Sequence, residues 1–369
     1  MKKVLVNVAR ILLTLACLFL VWRMIRFEDR WHVTAGGVDY VAESVETRAD
    51  GIVRVTLAKG QVREWERAAV KVARIEGFTS IVKRVNKVRM AGLAALLIIP
   101  LTCMALRWWL LMRANGFDVS FGRIFAITYA GSFFNTFLPG GVGGDIAKAV
   151  MTASGQDRKA AAVGTVLLDR IVGLAAMILM ATVAVVPFVT DAQMRTPVMV
   201  VGTLFFGMIV GYVVYFSRGL RASGLGRWVK GKLPFASVLA DVDGVMHTMR
   251  NAKASLAAAM GLSFACQAGT IVVVYLMART MGIAQASLGQ FFLFEPIIFI
   301  ITAVPISVGG WGVQEGAYAL LFGLAGVAKN EAIALSLMYK MGLVLMSVPG
   351  GLVFAIGAKA KAAEAAPAS

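Results

Sequence analysis

The chain has few charged residues and almost no histidine or cysteine. Only 15% of its 369 residues are charged and 59% are hydrophobic, whereas soluble domains contain about 25% charged residues. The two histidines, His32 and His247, lie far apart, which argues against a histidine-based metal centre. All three cysteines, Cys17, Cys103 and Cys266, fall inside apolar runs, which is typical of small buried side chains rather than of disulfides or zinc ligands. We therefore expect no metal and no cofactor.

The sequence also lacks the signatures of nucleotide and nucleic-acid binding. It contains no Gly-x-x-x-x-Gly-Lys-Ser/Thr run, which is the loop that binds ATP phosphates. No aromatic-and-basic pattern of the kind found in single-strand binders is present. The Lys and Arg residues behind the net charge of +17 gather beside apolar runs. We interpret them as topology signals and contacts to anionic lipid headgroups, and we expect membrane lipids but no nucleic acid as partners.

Long apolar runs dominate the sequence, and about 20 apolar residues are enough for a helix to cross the hydrocarbon layer. The runs are 4–22, 90–112, 124–138, 164–187, 198–216, 256–278, 291–304, 311–326 and 332–357. Six are long enough to span, but 124–138, 291–304 and 311–326 are short. This pattern predicts an all-α polytopic membrane protein with six or seven full transmembrane helices.

The pattern divides the chain into four parts. We expect 1–22 to be an uncleaved anchor helix, because Trp22-Arg23-Met24 stands where a signal peptide has small residues. Residues 23–89 form a small polar module, 90–357 a transmembrane domain and 358–369 a short disordered tail.

Local patterns predict the structure of the polar module. Alternating apolar residues over 53–57, a Lys-Gly turn and the segment 61–65 predict a β-hairpin, and 38–47 predicts a further strand. Apolar spacing from Glu64 to Lys87 predicts an amphipathic helix. The module carries no recognisable catalytic set, so we expect a structural or regulatory role.

Basic residues in the loops indicate the orientation. Segment 217–254 holds seven Lys or Arg residues, whereas 188–197 and 279–289 hold one each. We therefore place 217–254 in the cytoplasm and the other two loops outside, in the cytoplasmic (inner) cell membrane. The side of the polar module stays open. It lies inside if 124–138 spans the membrane, and outside if that segment enters and leaves on one face.

The sharpest feature is a repeated Pro-x-x-Val-Gly-Gly segment. One copy begins at Pro139 and precedes Asp145, and the other begins at Pro305 and precedes Glu315. Such segments cannot continue a regular helix, and a membrane tolerates broken helices only where protein or a wet cavity receives the freed backbone groups. Paired Gly/Pro interruptions in two halves point to a transporter binding site. We therefore predict two broken or re-entrant segments, an internal repeat and an intramembrane cavity.

A helix that starts after each glycine cluster points free N–H groups at the break, and such ends attract anions such as phosphate. We therefore expect the cavity to bind an anionic lipid headgroup, of phospholipid or polyprenyl-phosphate type. Two plainer interpretations stay open. Asp145 and Glu315 can be helix caps, and the glycines can serve close helix packing.

Charged and polar residues within or beside the runs are further candidates. Asp169-Arg170, Glu295 and Lys340 lie in apolar surroundings, where charges are costly and usually functional. Arg107 and Asp169-Arg170 stand near run ends and can instead extend toward water. Asn135 and Gln314 lie close to the breaks, where they either line the cavity or join helices by hydrogen bonds.

Four segments resemble the transmembrane region of lysylphosphatidylglycerol synthases and related flippase-like membrane proteins. They are 106–111, 134–145, 169–174 and 305–316, and the resemblance covers roughly 90–357. It implies a cytoplasmic-membrane protein that moves modified lipids between leaflets. It also makes Lys148 the basic residue that follows the acid in the family pattern.

Two departures from the family are visible. No aminoacyl-transfer domain follows 357, so we expect no lipid lysylation by this chain, and the polar module is larger than expected. The candidate substrate-binding residues are Asn135, Pro139, Gly140, Gly141, Gly143, Gly144, Asp145, Lys148, Asp169, Arg170, Glu295, Pro305, Gly309, Gly310, Gln314, Glu315 and Lys340.

We therefore expect a lipid translocase rather than an enzyme. One alternative is a membrane-embedded transferase, although no close Asp/Glu pair lies near the breaks. The other is a non-transporting scaffold or accessory subunit whose 23–89 module binds a protein partner.

Overall fold

The computed structural model describes residues 19, 22–23, 25–36, 38–48, 50–57, 61–137, 143–153, 158–216, 245, 248, 252–304 and 307–364. The described residues are mostly helical (73%), with a small antiparallel sheet near the N-terminus. Nearly all of the predicted anchor helix 1–22, most of 217–254 and the candidates Pro139, Gly140, Gly141 and Pro305 lie outside the described residues.

Five strands form the antiparallel sheet in the order β4-β3-β2-β1-β5. They are β1 (Arg30–Ala35), β2 (Val38–Thr47), β3 (Ile52–Leu57), β4 (Val62–Glu66) and β5 (Val70–Ile75). Alternate residues turn one apolar face inward, and Val33, Val53 and Val55 are fully buried there. The predicted hairpin β3-β4 and the strand over 38–47 are confirmed.

The amphipathic helix predicted over 64–87 is wrong. Residues Val70–Ile75 form β5 and pair with β1 along its length, and only α1 (Phe78–Arg84) is helical between the sheet and the bundle. Val70 and Val72 lie opposite Ala35 and Val33. Packing between β-branched residues on neighbouring strands stabilises the sheet and outweighs a helical spacing that is equally compatible with the sequence.

The helical part follows the apolar runs. It consists of α2 (Lys87–Leu96), α3 (Ile98–Ala114), α4 (Phe121–Phe137), α5 (Gly143–Ala153), α6 (Lys159–Ala184), α7 (Arg195–Phe216), α8 (Lys253–Thr280), α9 (Leu288–Ala303), α10 (Val313–Leu324) and α11 (Lys329–Glu364). Three short 3₁₀ turns complete the described part, at Arg67–Ala69, Val186–Phe188 and Ala192–Met194.

Five helices in the described part of the chain are long and apolar enough to cross a membrane. They are Lys87–Ala114, Lys159–Ala184, Ala192–Val214, Lys253–Thr280 and Lys329–Leu352. These spans coincide with five of the six long apolar runs, and the sixth run, 4–22, is the segment outside the described residues.

The three short runs form two helical hairpins. In the first, α4 and α5 approach so closely that a Cβ on Gly144 would overlap the carbonyl oxygen of Gly131. Its two ends meet where Arg158 donates a hydrogen bond to the Asn115 carbonyl oxygen at 3.1 Å. In the second, α9 and α10 pack side by side, and the rings of Phe291 and Phe322 lie 4.6 Å apart.

The sheet is fixed to one end of the bundle. Asn330, in the first turn of α11, donates to the Arg26 carbonyl oxygen at 3.1 Å and accepts from the Arg26 amide at 3.2 Å. Arg84 donates to the Met281 carbonyl oxygen, just after α8, at 2.7 Å. The sheet therefore shares its end of the bundle with the sparsely basic loop 279–289. The first hairpin begins and ends at the opposite end, where α8 also begins.

We expect the sheet to face the outside of the cell, because the basic loops mark the other end as cytoplasmic. Single cysteines at Val62 (53% exposed) and at Asp118, whose side chain is fully exposed, test this in a variant whose three native cysteines are replaced by serine. A membrane-impermeant maleimide should label Val62→Cys in intact spheroplasts and Asp118→Cys only after permeabilisation. The reverse pattern would contradict this orientation.

Candidate functional site

The tips of the two hairpins are in contact. Gly309 lies in the second break with φ +54°, and a Cβ on it would lie 2.6 Å from the carbonyl oxygen of Thr136 near the end of α4. Glycine is the residue that combines a left-handed φ with such a close backbone approach. The second break therefore lies against the end of α4, the helix that leads into the first break.

A cavity of about 360 Å³ lies where the hairpins meet, within the size range of small-ligand pockets (about 300–1,000 Å³). The second hairpin, the helices α3 to α6 and the helices α8 and α11 contribute to its wall. Nine predicted candidates line it: Asn135, Asp145, Lys148, Asp169, Arg170, Glu295, Gly309, Gln314 and Lys340.

Four described candidates do not line the cavity. Gly143 and Gly144 are buried in the first turn of α5, and Asn135 accepts a hydrogen bond from the Gly144 amide at 2.8 Å. Gly144 serves close packing of α5 on α4, and the prediction that the two glycines contact a ligand stays a prediction. Gly310 has Thr302 against it, and Glu315 is completely buried.

The first charged cluster joins α3, α5 and α6. Arg107 Nε donates to Asp169 Oδ1 at 2.6 Å, and Arg107 also donates to the Ser263 hydroxyl at 3.0 Å. Room for the guanidinium depends on Gly173, where a Cβ would lie 2.9 Å from Arg107 Nη1. Arg107 and Asp169 are each 5% exposed, so the interpretation that they extend toward water is wrong.

Lys148 completes this cluster without a close partner. Its amine lies 4.0 Å from Asp169 Oδ2 and 5.1 Å from the centroid of the Trp108 ring. The first distance is longer than a hydrogen bond, and an ammonium has three donors. At the rim of the cavity, Arg170 pairs with Asp145 at 2.8 Å, and both side chains are about a quarter exposed (27% and 24%).

The second charged cluster lies at the other break. Lys340 Nζ lies 3.1 Å from Glu315 Oε1 and 4.5 Å from the centroid of the Trp311 ring. Glu315 also accepts a hydrogen bond from the Gly312 amide at 2.6 Å. Glu315 therefore caps α10 and holds Lys340 at the same time, so the capping interpretation is correct for this residue but incomplete.

Three ion pairs account for six of the eight charged residues at the site: Arg107–Asp169, Arg170–Asp145 and Lys340–Glu315. The two that remain are Lys148, which shares Asp169 with Arg107 at the longer distance of 4.0 Å, and Glu295. Glu295 accepts a hydrogen bond from the Tyr318 hydroxyl at 2.6 Å. Within the described residues no Lys, Arg or His nitrogen lies within 4.0 Å of its carboxylate, and no group of three or more His, Cys, Asp or Glu side chains could hold a metal ion.

Some site residues were missing from the sequence-based candidates. Arg107 carried a signal, since it stands in an apolar run and in a segment of the family resemblance, but its place near a run end favoured an exposed position. Ser263 and Tyr318 carried none. A serine and a tyrosine in membrane helices are ordinary, and only tertiary packing brings them to Arg107 and Glu295.

Comparison with known proteins gives one match. A family model described as "Lysylphosphatidylglycerol synthase TM region" matches residues 52–350. The match begins at strand β3, earlier than the resemblance over 90–357 suggested, so it includes part of the sheet. No curated protein and no solved structure matches the chain.

Replacing Gly144 by alanine should destabilise the protein, because the added methyl overlaps the Gly131 backbone, which cannot move aside as a side chain can. We expect a loss of roughly 1–3 kcal/mol, as for other overpacked sites. Gly316→Ala, in the first turn of α10, is the matched control because a Cβ there meets nothing within 4 Å. Thermal unfolding in one detergent compares the two, and equal stabilities would contradict the close packing.

Asp169→Asn should also destabilise the protein, because it leaves Arg107 and Lys148 buried without their carboxylate. Removing one partner of a buried pair costs about 3–5 kcal/mol. Asp118→Asn is the control, since it removes the partner of Arg113 at an exposed site where ion pairs contribute little. Chemical denaturation of both variants in the same micelles measures the difference, and similar midpoints would show that the buried pair is not needed for stability.

Proposed function

The chain belongs to the lysylphosphatidylglycerol synthase transmembrane-region family, and from this membership and the cavity we propose that it moves an anionic lipid headgroup between leaflets. It is a multi-pass membrane protein of a lipid-related family, with five candidate spans. The observation that carries the proposal is Lys148, an amine only 3% exposed that lines the cavity with no carboxylate oxygen closer than 4.0 Å.

Lys148 is the ligand for the headgroup phosphate. A buried ammonium whose donors are not satisfied by protein is stabilised by an incoming anion, since an unpaired charge in an apolar interior is costly. Trp108 supports the amine through its ring face but offers no acceptor, so the N–H donors remain available. Lys340, 3% exposed and over Trp311, is a second cation on the same wall.

The two hairpins are re-entrant segments that enter from opposite faces. The first begins and ends at the end of the bundle opposite the sheet, as the Arg158–Asn115 contact supports. The second follows the loop after α8, at the sheet's end. Gly309 lies against Thr136, and this contact supports a position for the broken backbone, and for the headgroup, near the middle of the bilayer. Inverted repeats in transporters place substrate sites at such a position.

The remaining wall suits the lipid's hydrocarbon. The headgroup enters past the partly exposed Asp145–Arg170 pair, whereas the other ion pairs are nearly inaccessible. Apolar side chains continue the cavity from the charged clusters and accommodate the start of the acyl or polyprenyl chains. They are Leu97, Leu101, Met104, Ile298, Phe299 and Leu343.

Reconstitution in liposomes tests the proposal. Fluorescent phosphatidylglycerol and a fluorescent polyprenyl phosphate, each in separate vesicles, should cross the bilayer faster with the protein than without it. Lys148→Gln should slow movement of the transported lipid at least about tenfold, because a hydrogen bond to a charged group contributes about 1.5–3 kcal/mol. Lys159→Gln, the same change at an exposed position at the start of α6, should leave the rate unchanged.

The same vesicles separate the alternatives. Movement of neither lipid, with no lipid retained on purification, would favour the scaffold. A covalently altered lipid in the extracted vesicles would favour the transferase. Asp145→Asn and Glu315→Gln, compared at matched folding, should slow transport as well, since each leaves a cation at the cavity without its carboxylate and a headgroup held by that cation leaves more slowly.

A further inference from the structure

The mechanism proposed so far leaves Glu295 unused, although it is the most unusual charge in the cavity. It lies on α9, 9% exposed, beside Pro296, and lines the wall. Its one hydrogen bond among the described residues comes from the Tyr318 hydroxyl at 2.6 Å, and its carboxylate takes part in none of the three ion pairs. A carboxylate that is buried without a cation is stabilised by binding a proton.

The surroundings of Glu295 supply no substitute for a cation. The α7 residues that lie beside Pro296, the next residue of α9, are Val201 and Leu204, and both are apolar. Titratable and charged groups reach the cavity from the other helices packed on α9, but each cation has an acid of its own or, in the case of Lys148, lies nearest Asp169. These groups are Asp169 and Arg170 on α6, Cys266 on α8, Glu315 and Tyr318 on α10, and Tyr339 and Lys340 on α11.

Glu295 and the headgroup phosphate would share one cavity of about 360 Å³. Two negative charges so close together in a medium of low dielectric constant repel each other strongly, and each disfavours the ionised form or the binding of the other. We infer that Glu295 is a proton-binding site that couples headgroup binding to proton uptake, so that one proton accompanies each anionic headgroup. This inference rests on the proposed function and adds its driving ion.

The step is a proton exchange only. The Glu295 carboxylate takes one proton from the aqueous phase as the headgroup binds, and returns it to water when the headgroup leaves. No bond in the lipid changes. Because the linkage is reciprocal, a proton gradient drives the headgroup and a headgroup gradient drives protons.

Binding of a soluble short-chain phosphatidylglycerol at a series of pH values tests the coupling. This probe is a phosphodiester, so its own charge stays constant. We expect the affinity of the parent to rise about tenfold toward acid pH, a typical size for coupling between two sites. Glu295→Gln should bind the lipid at every pH with the affinity that the parent reaches at acid pH, because its neutral amide imitates the protonated acid. Glu64→Gln, on the exposed face of the sheet, should keep the parent's pH dependence.

Calorimetry in buffers of different ionisation enthalpy counts the protons. The parent should take up close to one proton per headgroup near the midpoint of its pH dependence, and Glu295→Gln close to none. Binding that does not change with pH in the parent, or a proton count that survives in Glu295→Gln, would overturn the inference and leave the translocase intact. No binding and no transport at any pH would instead overturn the proposed function.

A second variant covers the case in which Glu295→Gln does not fold. Tyr318→Phe keeps the carboxyl and removes its hydrogen-bond donor, so the proton count should stay near one while the pH midpoint shifts. An unchanged midpoint in Tyr318→Phe would assign the titration to another group and overturn the inference.

Discussion

The organisation of this protein depends on the absence of water around its helices. Every backbone group freed by a break and every charge in the apolar runs needs a partner within the protein. The structure answers both needs at one place. Asn135 accepts from the amide of Gly144 and Glu315 accepts from that of Gly312, while the charged side chains pair beside them. The cavity therefore follows from the interruptions, because the groups that they free must be gathered where polar partners are found.

The position of this site could be predicted from the sequence, but the pairing of its side chains could not. Run lengths and the repeated Gly/Pro segments depend on local chemistry, and they located the spans and the breaks. The pairs Arg107–Asp169 and Glu295–Tyr318 join residues far apart in the chain, and no spacing rule relates such positions. The prediction of a helix over Val70–Ile75 was wrong for a related reason. The apolar spacing of this segment fits both a helix and a strand, and only its pairing with β1 decides between them.

A lysine lies over a tryptophan ring beside each break, but the two lysines differ in their distance from the nearest carboxylate. At each, a lysine amine lies over a tryptophan ring, Lys148 over Trp108 and Lys340 over Trp311. The amine of Lys340 has a carboxylate oxygen of Glu315 at 3.1 Å. Among the described residues, the carboxylate oxygen nearest to the Lys148 amine is Oδ2 of Asp169, at 4.0 Å. The other oxygen of that carboxylate already accepts a hydrogen bond from Arg107. A phosphate that binds at Lys340 must compete with Glu315, but at Lys148 it fills an unsatisfied place. This difference in distance is the reason that the proposed function assigns the headgroup phosphate to Lys148 first.

The charges of the cavity also bear on how the proposed transport would be driven. An anion that enters a cavity of paired charges adds one uncompensated charge to an apolar interior, which is costly. Among the described residues, the carboxylate oxygen nearest to the Lys148 amine lies at 4.0 Å and Glu295 takes part in no ion pair. In the proposed exchange the cavity would receive an anion at Lys148 and a proton at Glu295 in the same step, so that its total charge would not change.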